Sequence, residues 1–328
     1  MAPPASFSAV EAAASGWLKA MYAGLPGDLI NDGRMIAAFT LTGIAFYLVF
    51  EPGRRLSILA ALRHVYRRDL FRHPTSRVDI LHFFLAIAFW FPLVGAVVTA
   101  FLIVDVRDLL IAQFGPRPAL MQTGWMIAVA QFVIIFVSRD FGTYVGHVLL
   151  HRVPLLWSIH RTHHSAEVLT FFTSTRAHPL EYLHAQSFMA VFGALGGGAF
   201  LYLTGTGLQA TPIVILVAVG IFSQFFGLAQ HSHLPISFGK LNYILLAPVL
   251  HQLHHSAELR HRDRNYGGQL SVFDWIFGTI YVPRERETYR LGLNDEELGE
   301  SNPHVRLRDF YFEPASHAWR LLTRRGAR

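Results

Sequence analysis

The sequence predicts an all-α fold: an integral membrane helical bundle of about four to five transmembrane helices, with a cytoplasmic helical cap that carries histidine clusters. Three observations support this prediction. Hydrophobic residues make up 52% of the 328 residues, and the mean hydropathy is +0.34. Several apolar runs approach the length of a membrane span, and 18 histidines are concentrated in short motifs between and after them. Composition of this kind is typical of chains that fold in lipid.

Five apolar runs approach the roughly 20 residues that a helix needs to cross the hydrocarbon of a bilayer. They occupy residues 34–50, 80–104, 120–138, 187–204 and 210–229. The last two runs are predicted to form a hairpin across Thr204 to Thr211. Helical periodicity in the third run persists through Asp140 and Tyr144. We therefore expect that helix to leave the lipid and continue to His151.

The arginines predict the orientation of the bundle, because short positively charged loops stay on the cytoplasmic side. Residues 54–77 contain seven arginines, and the end of the chain carries Arg324, Arg325 and Arg328. Counting crossings from the 54–77 loop places residues 139–186 and everything after about 230 in the cytoplasm. Every histidine-rich motif then lies on the cytoplasmic side of the membrane.

Charge and cysteine content exclude several classes of function. The net charge is +6 and the pI is 9.8, but only 15% of residues are charged. No basic stretch is interleaved with the aromatic residues that a nucleic-acid groove needs, so no nucleic-acid partner is expected. The chain has no cysteine, which excludes disulfides, thiolate catalysis and iron–sulfur clusters. Residues 1–19 lack a basic segment before an apolar core, so no cleavable signal peptide is predicted.

Three histidine motifs carry the predicted chemistry. Residues four apart on a helix project from one face, which is the arrangement that two imidazole ligands of one metal need. In the two HxxHH motifs, positions i, i+3 and i+4 are expected to share a helical face. Eight imidazoles exceed the ligands that one ion accepts, so two ions are predicted. The eight residues are His147, His151, His160, His163, His164, His251, His254 and His255.

Further residues are predicted to surround these motifs. His231 is expected to be a ligand, and His178 and His233 are expected either to bind metal or to contact a ligand. A metal-bound histidine commonly donates its second N–H to a carboxylate or carbonyl. The candidate carboxylates are Asp140, Glu181, Asp263 and Asp274. The histidines outside any motif are predicted to be structural: His64, His73, His82, His184, His304 and His317.

The order HxxxH, HxxHH, HxxHH resembles the fatty acid hydroxylase and sterol desaturase superfamily. Arg176-Ala-His178-Pro-Leu-Glu181 and Gln230-His231-Ser lie between the motifs, as in that superfamily. The stretch Asp263-Arg-Asn265-Tyr266-Gly267, followed by Asp274-Trp-Ile-Phe277-Gly278-Thr279, is similar to its D-x-N-Y-G and W-D-x-x-F-G-T ending. The resemblance covers about residues 80–285. His233 departs from it, because many members carry asparagine there.

The resemblance implies a non-haem di-iron oxidoreductase that hydroxylates or desaturates a lipid with O2 as co-substrate. Zinc could replace iron in purified material. Asn265 and Asp274 would organise the cap. The chain has no His-Pro-Gly-Gly haem motif, so the electrons would come from a separate cytochrome b5-, ferredoxin- or rubredoxin-like carrier. The lipid is left open among sterol-like, fatty-acyl, sphingolipid and ether lipids. The implied iron ligands are His147, His151, His160, His163, His164, His231, His251, His254 and His255.

The sequence also predicts a division of the chain and leaves two alternative functions. Residues 1–78 would form an N-terminal span and basic loop, 79–285 the catalytic domain, and 286–328 a cytoplasmic tail that packs over the cap. The alternatives are a membrane protein for metal transport or storage and a membrane zinc hydrolase, although His147-Val-Leu-Leu-His151 lacks the glutamate of H-E-x-x-H. The glycines at 193–198 predict close helix packing.

Overall fold

A computed structural model describes residues 37, 40–41, 43–49, 51, 56–95, 106–119, 124–207, 223, 226–298 and 301–325. In these residues the fold is helical, and the only β-type pairings are two isolated bridges, Leu245 with Leu270 and Ser256 with Leu291. Three short 3₁₀ helices occupy Phe171–Thr175, Gly239–Tyr243 and Leu259–His261. The α-helices are α1 Ile58–Val65, α2 Arg68–Arg72, α3 Pro74–Leu85, α4 Val106–Phe114, α5 Trp125–Arg152, α6 Pro154–His164, α7 Pro179–Thr204, α8 Pro248–His254, α9 Val272–Phe277, α10 Asp295–Leu298 and α11 Leu307–Arg325.

Three helices in the described residues are long and apolar enough to cross a membrane. They are Pro74–Gly95, Trp125–Arg152 and Pro179–Thr204. The first of them joins α3 to a π-helical turn at Ala86–Trp90 and a further helical turn. These spans confirm the second, third and fourth predicted runs. The predicted runs at 34–50 and 210–229 fall largely outside the described residues, although 43–49 and 226–230 are helical. A count of five spans therefore stays a prediction.

Prolines decide where the long helices stop and the cap helices begin. As predicted, α5 continues past Asp140 and ends only at Arg152. Pro154 forces the residue before it out of the helical region, and Val153 has φ −100° and ψ 111°. The same proline is the first residue of α6, where its missing N–H has no partner to lose. The chain therefore turns sharply between α5 and α6, at the level of the histidine motifs.

Glycines bring α5 and α7 into close contact. A Cβ at Gly142 would lie 2.6 Å from the carbonyl oxygen of Phe188, and one at Gly196 would lie 2.6 Å from the Cβ of Ser138. A Cβ at Gly197 would also meet a side chain of α5, at 2.9 Å. Only a residue without a side chain permits backbones to approach this closely. The predicted packing role of the 193–198 glycines is confirmed.

A buried ion pair fastens the first span to the cap. Arg176 and Asp79 are both fully buried, and their side chains are 2.5 Å apart. The Arg176 guanidinium also donates to the carbonyl oxygens of Thr162 and His304. Because an isolated buried charge is costly, this paired and hydrogen-bonded arrangement fixes α3 relative to α6.

The C-terminal helix α11 closes the cap from the side of the first span. The Tyr311 hydroxyl lies 2.8 Å from Nδ1 of His82 and 2.9 Å from Nε1 of Trp90. Glu313 accepts a hydrogen bond from Arg161 of α6. These contacts place the described part of the tail against α3 and α6, as the sequence predicted.

Candidate metal centre

Nine buried or half-buried histidines converge in two clusters at one end of the helical bundle. Within each cluster, one ligand atom of every residue lies within 4.8 Å of the others. The nine are the residues that the resemblance implied as ligands. We define the first cluster as His147, His151, His160, His164 and His254, and the second cluster as His163, His231, His251 and His255.

Each HxxHH motif contributes to both clusters. His160 and His164 belong to the first cluster, whereas His163 between them belongs to the second. The three histidines of one motif, expected to share a helical face, are thus divided between the two clusters. Consecutive residues on a helix point about 100° apart, so adjacent histidines of α6 face different sites. The second motif has the reverse division, and His254 joins the first cluster.

The distances between ring nitrogens match those expected around a metal ion. Nε2 of His160 lies 3.0 Å from Nε2 of His147 and 3.2 Å from that of His164. Nε2 of His251 lies 3.0 Å from that of His231. Two neighbouring ligands at metal–nitrogen distances of about 2.1 Å would lie about 3.0–3.4 Å apart. The clusters thus have the spacing of coordination sites.

The hydrogen bonds of His163 and His231 leave the facing nitrogens of the two rings without a proton. Nδ1 of His163 donates to the carbonyl oxygen of Arg176 at 2.6 Å, and Nδ1 of His231 donates to that of Gly227 at 3.0 Å. A carbonyl oxygen only accepts, so each neutral ring has its lone pair on Nε2. The two Nε2 atoms are 3.3 Å apart.

Protonation of either ring at Nε2 would supply a donor for the contact between His163 and His231, but burial opposes it. Burial lowers the pKa of His231 to about 4 and holds the pKa of His163 well below its ordinary value. At neutral pH the two facing lone pairs are therefore left without a donor. A bound metal ion, which accepts electron pairs from neutral imidazoles, fits this donor set.

One loop orients two ligands of the first cluster. Nδ1 of His147 donates to the carbonyl oxygen of Tyr266 at 2.8 Å, and Nδ1 of His254 donates to that of Arg264 at 2.7 Å. Between these two carbonyls lies Asn265, whose φ is +58°. Asparagine tolerates this left-handed conformation better than most residues. The reversal of the chain at Asn265 aims both carbonyls at the histidines.

Asn265 and Asp274 hold this loop as the resemblance implied. The Asn265 amide donates to the carbonyls of Leu250 and Tyr281, both at 3.0 Å. The Asp274 carboxylate accepts the backbone N–H groups of Tyr266 and Gly267, both at 2.8 Å. Neither side chain contacts a clustered histidine through these bonds. Both position the carbonyls that do.

The other candidate carboxylates have different roles from one another. Oε1 of Glu181 lies 2.9 Å from Nδ1 of His160 and is the carboxylate nearest to this ring nitrogen among the candidates. Asp140 instead accepts the backbone N–H groups of Gln269 and Leu270. It therefore supports the loop before α9 and not the histidine on its own helix. Asp263 accepts the hydroxyl of Tyr266 and lies 3.9 Å from Nδ1 of His151.

The structure brings neither His178 nor His233 into a cluster. His178 precedes Pro179 and caps α7, because its Nδ1 accepts the N–H of Leu180 and its Nε2 lies 3.2 Å from the carbonyl of Tyr311. His233 lies beyond the turn at His231 and donates to the carbonyl of His64. Both rings use their nitrogens in structural contacts. In the described residues, the histidines outside any motif also lie apart from the two clusters.

Sequence reasoning missed the backbone carbonyls and the residue Asp79. The acceptors of the histidine N–H groups belong to Arg176, Gly227, Arg264 and Tyr266. A carbonyl has no side-chain signature, so no residue pattern reveals it. Asp79 could have been noticed, because an acidic residue at the start of an apolar run is rare unless it is paired.

A cavity of about 420 Å³ reaches the first cluster from the far end of α5. It is lined by three clustered histidines, His151, His164 and His254, together with Trp157. Its mouth carries the charged residues Arg152, Arg262 and Asp263. The cavity gives small molecules a polar route to one of the two clusters.

Comparison with known proteins agrees with this geometry. Residues 132–279 match the fatty acid hydroxylase family model. The chain is 31% identical over 163 residues to an ornithine lipid hydroxylase of Rhizobium tropici. The aligned region covers 50% of this chain and 45% of that protein. It is 30% identical over 156 residues to human alkylglycerol monooxygenase, covering 48% of this chain and 32% of that protein.

A plant relative gives the same result. The chain is 30% identical over 159 residues to methylsterol monooxygenase 2-1 of Arabidopsis thaliana, which covers 47% of this chain and 57% of that protein. The chain thus spans between a third and about three fifths of these three relatives. No solved structure gives a significant match. The segment that matches the family model, residues 132–279, contains the clustered histidines and the loop that orients them.

Proposed function

We propose that this protein is a membrane-bound, O2-dependent di-iron oxidoreductase that hydroxylates or desaturates a lipid. The observation that carries the proposal is the pair of histidine clusters at one end of a bundle of apolar helices. The relatives support it, because their names describe a lipid hydroxylase, an alkylglycerol monooxygenase and a methylsterol monooxygenase. General acid–base chemistry does not break an unactivated C–H bond. Oxidation of a lipid at such a bond therefore calls for O2 chemistry at a metal.

The first and second clusters would each hold one iron ion. Neutral imidazole suits iron, zinc, copper and nickel alike, and the redox step favours iron. When bound, the two irons would supply the reduction of O2 that C–H oxidation requires. Electrons would come from a separate carrier of the cytochrome b5, ferredoxin or rubredoxin kind.

The residues of the chain keep the ligands ready for metal. Burial keeps the imidazoles of His164 in α6 and of His255 directly after α8 neutral, because it lowers the pKa of both well below the ordinary value. Backbone carbonyls hold Nδ1–H of His147 and His254 so that Nε2 faces the site. The apolar spans give a lipid chain access from the bilayer. Together these features keep the imidazoles neutral and orient them toward the metal.

We place the active site on the cytoplasmic face and keep residues 79–285 as the catalytic domain. The basic segment 54–77 supports this orientation through the preference of arginine-rich loops for the cytoplasm. The arginines would contact anionic headgroups, although an acidic electron carrier is a second possible occupant. The family match at 132–279 lies inside the proposed domain.

The alternatives have weaker support. A metal transporter needs ligands distributed along its spans, whereas the two clusters lie together at the cap end of α5. A zinc hydrolase of the H-E-x-x-H kind needs a glutamate base, and valine follows His147. The relatives named above are hydroxylases and monooxygenases, so the comparisons favour neither alternative.

Mass spectrometry of membrane lipids tests the proposal. Lipids would be compared from cells with the wild-type protein and with His163→Ala, each supplied with an electron donor. We expect a lipid that gains one oxygen atom or loses two hydrogen atoms in the wild type alone. His317→Ala is the control, because His317 bonds to Ser158 outside both clusters. An unchanged lipid profile with iron bound and the donor present would contradict the proposal.

A further inference from the structure

A group of exposed apolar side chains lies on the cap, outside the three long spans. Two neighbouring elements carry it, and we call it the apolar platform. The side chains are between 44% and 61% exposed. The platform consists of Leu241 and Tyr243 of the 3₁₀ helix Gly239–Tyr243, Ile244 directly after it, and Trp275, Ile276 and Phe277 of α9.

The two elements of the platform are joined by their backbones. The N–H of Ser271, just before α9, donates to the carbonyl of Ile244 at 3.0 Å. The Ser271 hydroxyl donates to the carbonyl of Asn242. Leu245 and Leu270 form a bridge beside these bonds. The platform is thus one surface and not two separate exposed turns.

The platform packs against aromatic side chains of the second long span. The Phe277 ring lies 6.1 Å from that of Phe141 and 5.5 Å from that of Tyr144, both on α5. The Phe141 ring in turn lies 5.3 Å from Phe192 of α7. Val191, beside Phe192, is 39% exposed. Aromatic contacts therefore join α9 to α5 and, through Phe141, to α7.

Helix geometry places this level at the membrane boundary. Trp125 begins α5 and is 71% exposed, which suits an aromatic residue at one interface. From Trp125 to Tyr144 the helix rises about 28 Å at 1.5 Å per residue. The hydrocarbon core of a bilayer is about 30 Å thick. Phe277, which packs on Tyr144, thus lies where the opposite interface is expected.

We propose that the apolar platform inserts into the bilayer interface on the cap side and contacts lipid directly. Its composition fits this occupant, because tryptophan and tyrosine are enriched at membrane interfaces and Lys240 beside Leu241 is exposed toward anionic headgroups. Lipid is the partner, because the platform packs against the membrane spans and Phe277 lies at the level of the expected interface.

The inserted surface is coupled to the metal centre through α9. Trp275 and Ile276 face outward, whereas Asp274 of the same helix is fully buried. The Asp274 carboxylate holds the backbone of Tyr266, whose carbonyl orients His147. One short helix thus has its outer face in lipid and its inner face on the loop that positions a ligand.

Single cysteines with a nitroxide label test the insertion. The chain has no cysteine of its own, so Ile276→Cys and Ile244→Cys each give one label on the full protein in liposomes. Collision with dissolved oxygen, which concentrates in lipid, is compared with collision with a water-soluble nickel chelate. We expect oxygen to be favoured several-fold at both positions.

Leu259→Cys is the matched control. Leu259 is 71% exposed and lines the cavity near Arg262, so its label should favour the nickel chelate. The proposal fails if the labels at 276 and 244 give the nickel-rich result of the control. It also fails if both reagents are excluded there, since that result means that a protein surface covers the platform. Normal labelling and an unchanged gel-filtration profile verify that each variant is folded.

Discussion

Four clustered histidines donate an Nδ1 proton to a backbone carbonyl. They are His147, His163, His231 and His254. Because a carbonyl cannot donate, each of these rings is restricted to the tautomer that frees Nε2 for metal. The choice of ligand atom is thus made by the backbone near each histidine. Residues that shape this backbone become as important as the ligands.

Substitution of Asn265 tests how far the orientation of the histidines depends on the neighbouring backbone. Asn265→Gly keeps the left-handed conformation but loses the hydrogen bonds to Leu250 and Tyr281. We expect it to destabilise the protein by about 2–4 kcal/mol. Each lost bond costs about 1 kcal/mol, and the partners that are left without a hydrogen bond add to this cost. Asn265→Ala should cost about 1–2 kcal/mol more, because alanine resists positive φ. Unfolding midpoints in one detergent measure both.

The order of the two variants is the informative result. Equal midpoints for glycine and alanine would mean that the conformation at 265 carries no strain. Loss of metal should follow the same order, since the carbonyls that orient His147 and His254 flank this residue.

Glu181 offers a second prediction at this scale. Glu181→Gln keeps an oxygen near Nδ1 of His160 but replaces the carboxyl group with an amide. Metal affinity of the first cluster should fall about 10–100-fold, as is usual when such a partner is changed. Titration with a chelator, followed by metal analysis, should show one ion lost early and one late.

Glu167→Gln is the matched control for this change. Its carboxylate is partly exposed and lies 3.6 Å from His73, away from both clusters. If Glu181→Gln releases both ions together, or neither, the direct contact with His160 does not tune one site.

The pair α5 and α7 shows how one element supports another. The first cluster depends on the position of α5, which carries His147 and His151. Glycines in its contact with α7 permit the two backbones to approach closely. A close backbone contact leaves little room for relaxation, so the register of the two helices is strictly set.

Gly142→Ala tests this contact. The new Cβ would lie 2.6 Å from the Phe188 carbonyl oxygen, a backbone atom that cannot swing away. Overpacking of this kind costs about 1–3 kcal/mol, so the unfolding midpoint should fall. Gly207→Ala is the control, since its Cβ would meet nothing within 4 Å. Equal midpoints would show that α5 and α7 tolerate a shift.

The metal clusters join parts of the chain that are far apart in sequence. The second cluster combines His163, His231 and His251, which come from α6, from the end of the helix at 226–230 and from α8. A bound ion would therefore connect three elements that are far apart in the sequence. Ions that bind only the folded protein stabilise it by mass action.

Removal of metal should therefore lower the stability of the whole molecule. An ion at a thousand times its dissociation constant contributes about 4 kcal/mol. We expect chelation to lower the unfolding midpoint and Fe²⁺ or Zn²⁺ to restore it. Mg²⁺ should not, because it prefers oxygen ligands. An unchanged midpoint after verified metal loss would contradict a role of the clusters in joining the cap.

Much of the site could be predicted from sequence because its signals are local. Spacing of four residues along one helix places His147 and His151 together whatever the rest of the fold does. Apolar length predicts spans in the same way, and the three that the structure describes match predicted runs. The resemblance added Asn265 and Asp274, which hold the loop beside the first cluster.

The tertiary structure decided how these local pieces divide and what orients them. It sent His163 to one cluster and His164 to the other, because α6 lies between two sets of partners. It turned His178 and His233 to structural contacts and gave Asp140 to the loop before α9. Side-chain direction and carbonyl position depend on how helices cross. Periodicity along one chain segment carries no information about that crossing.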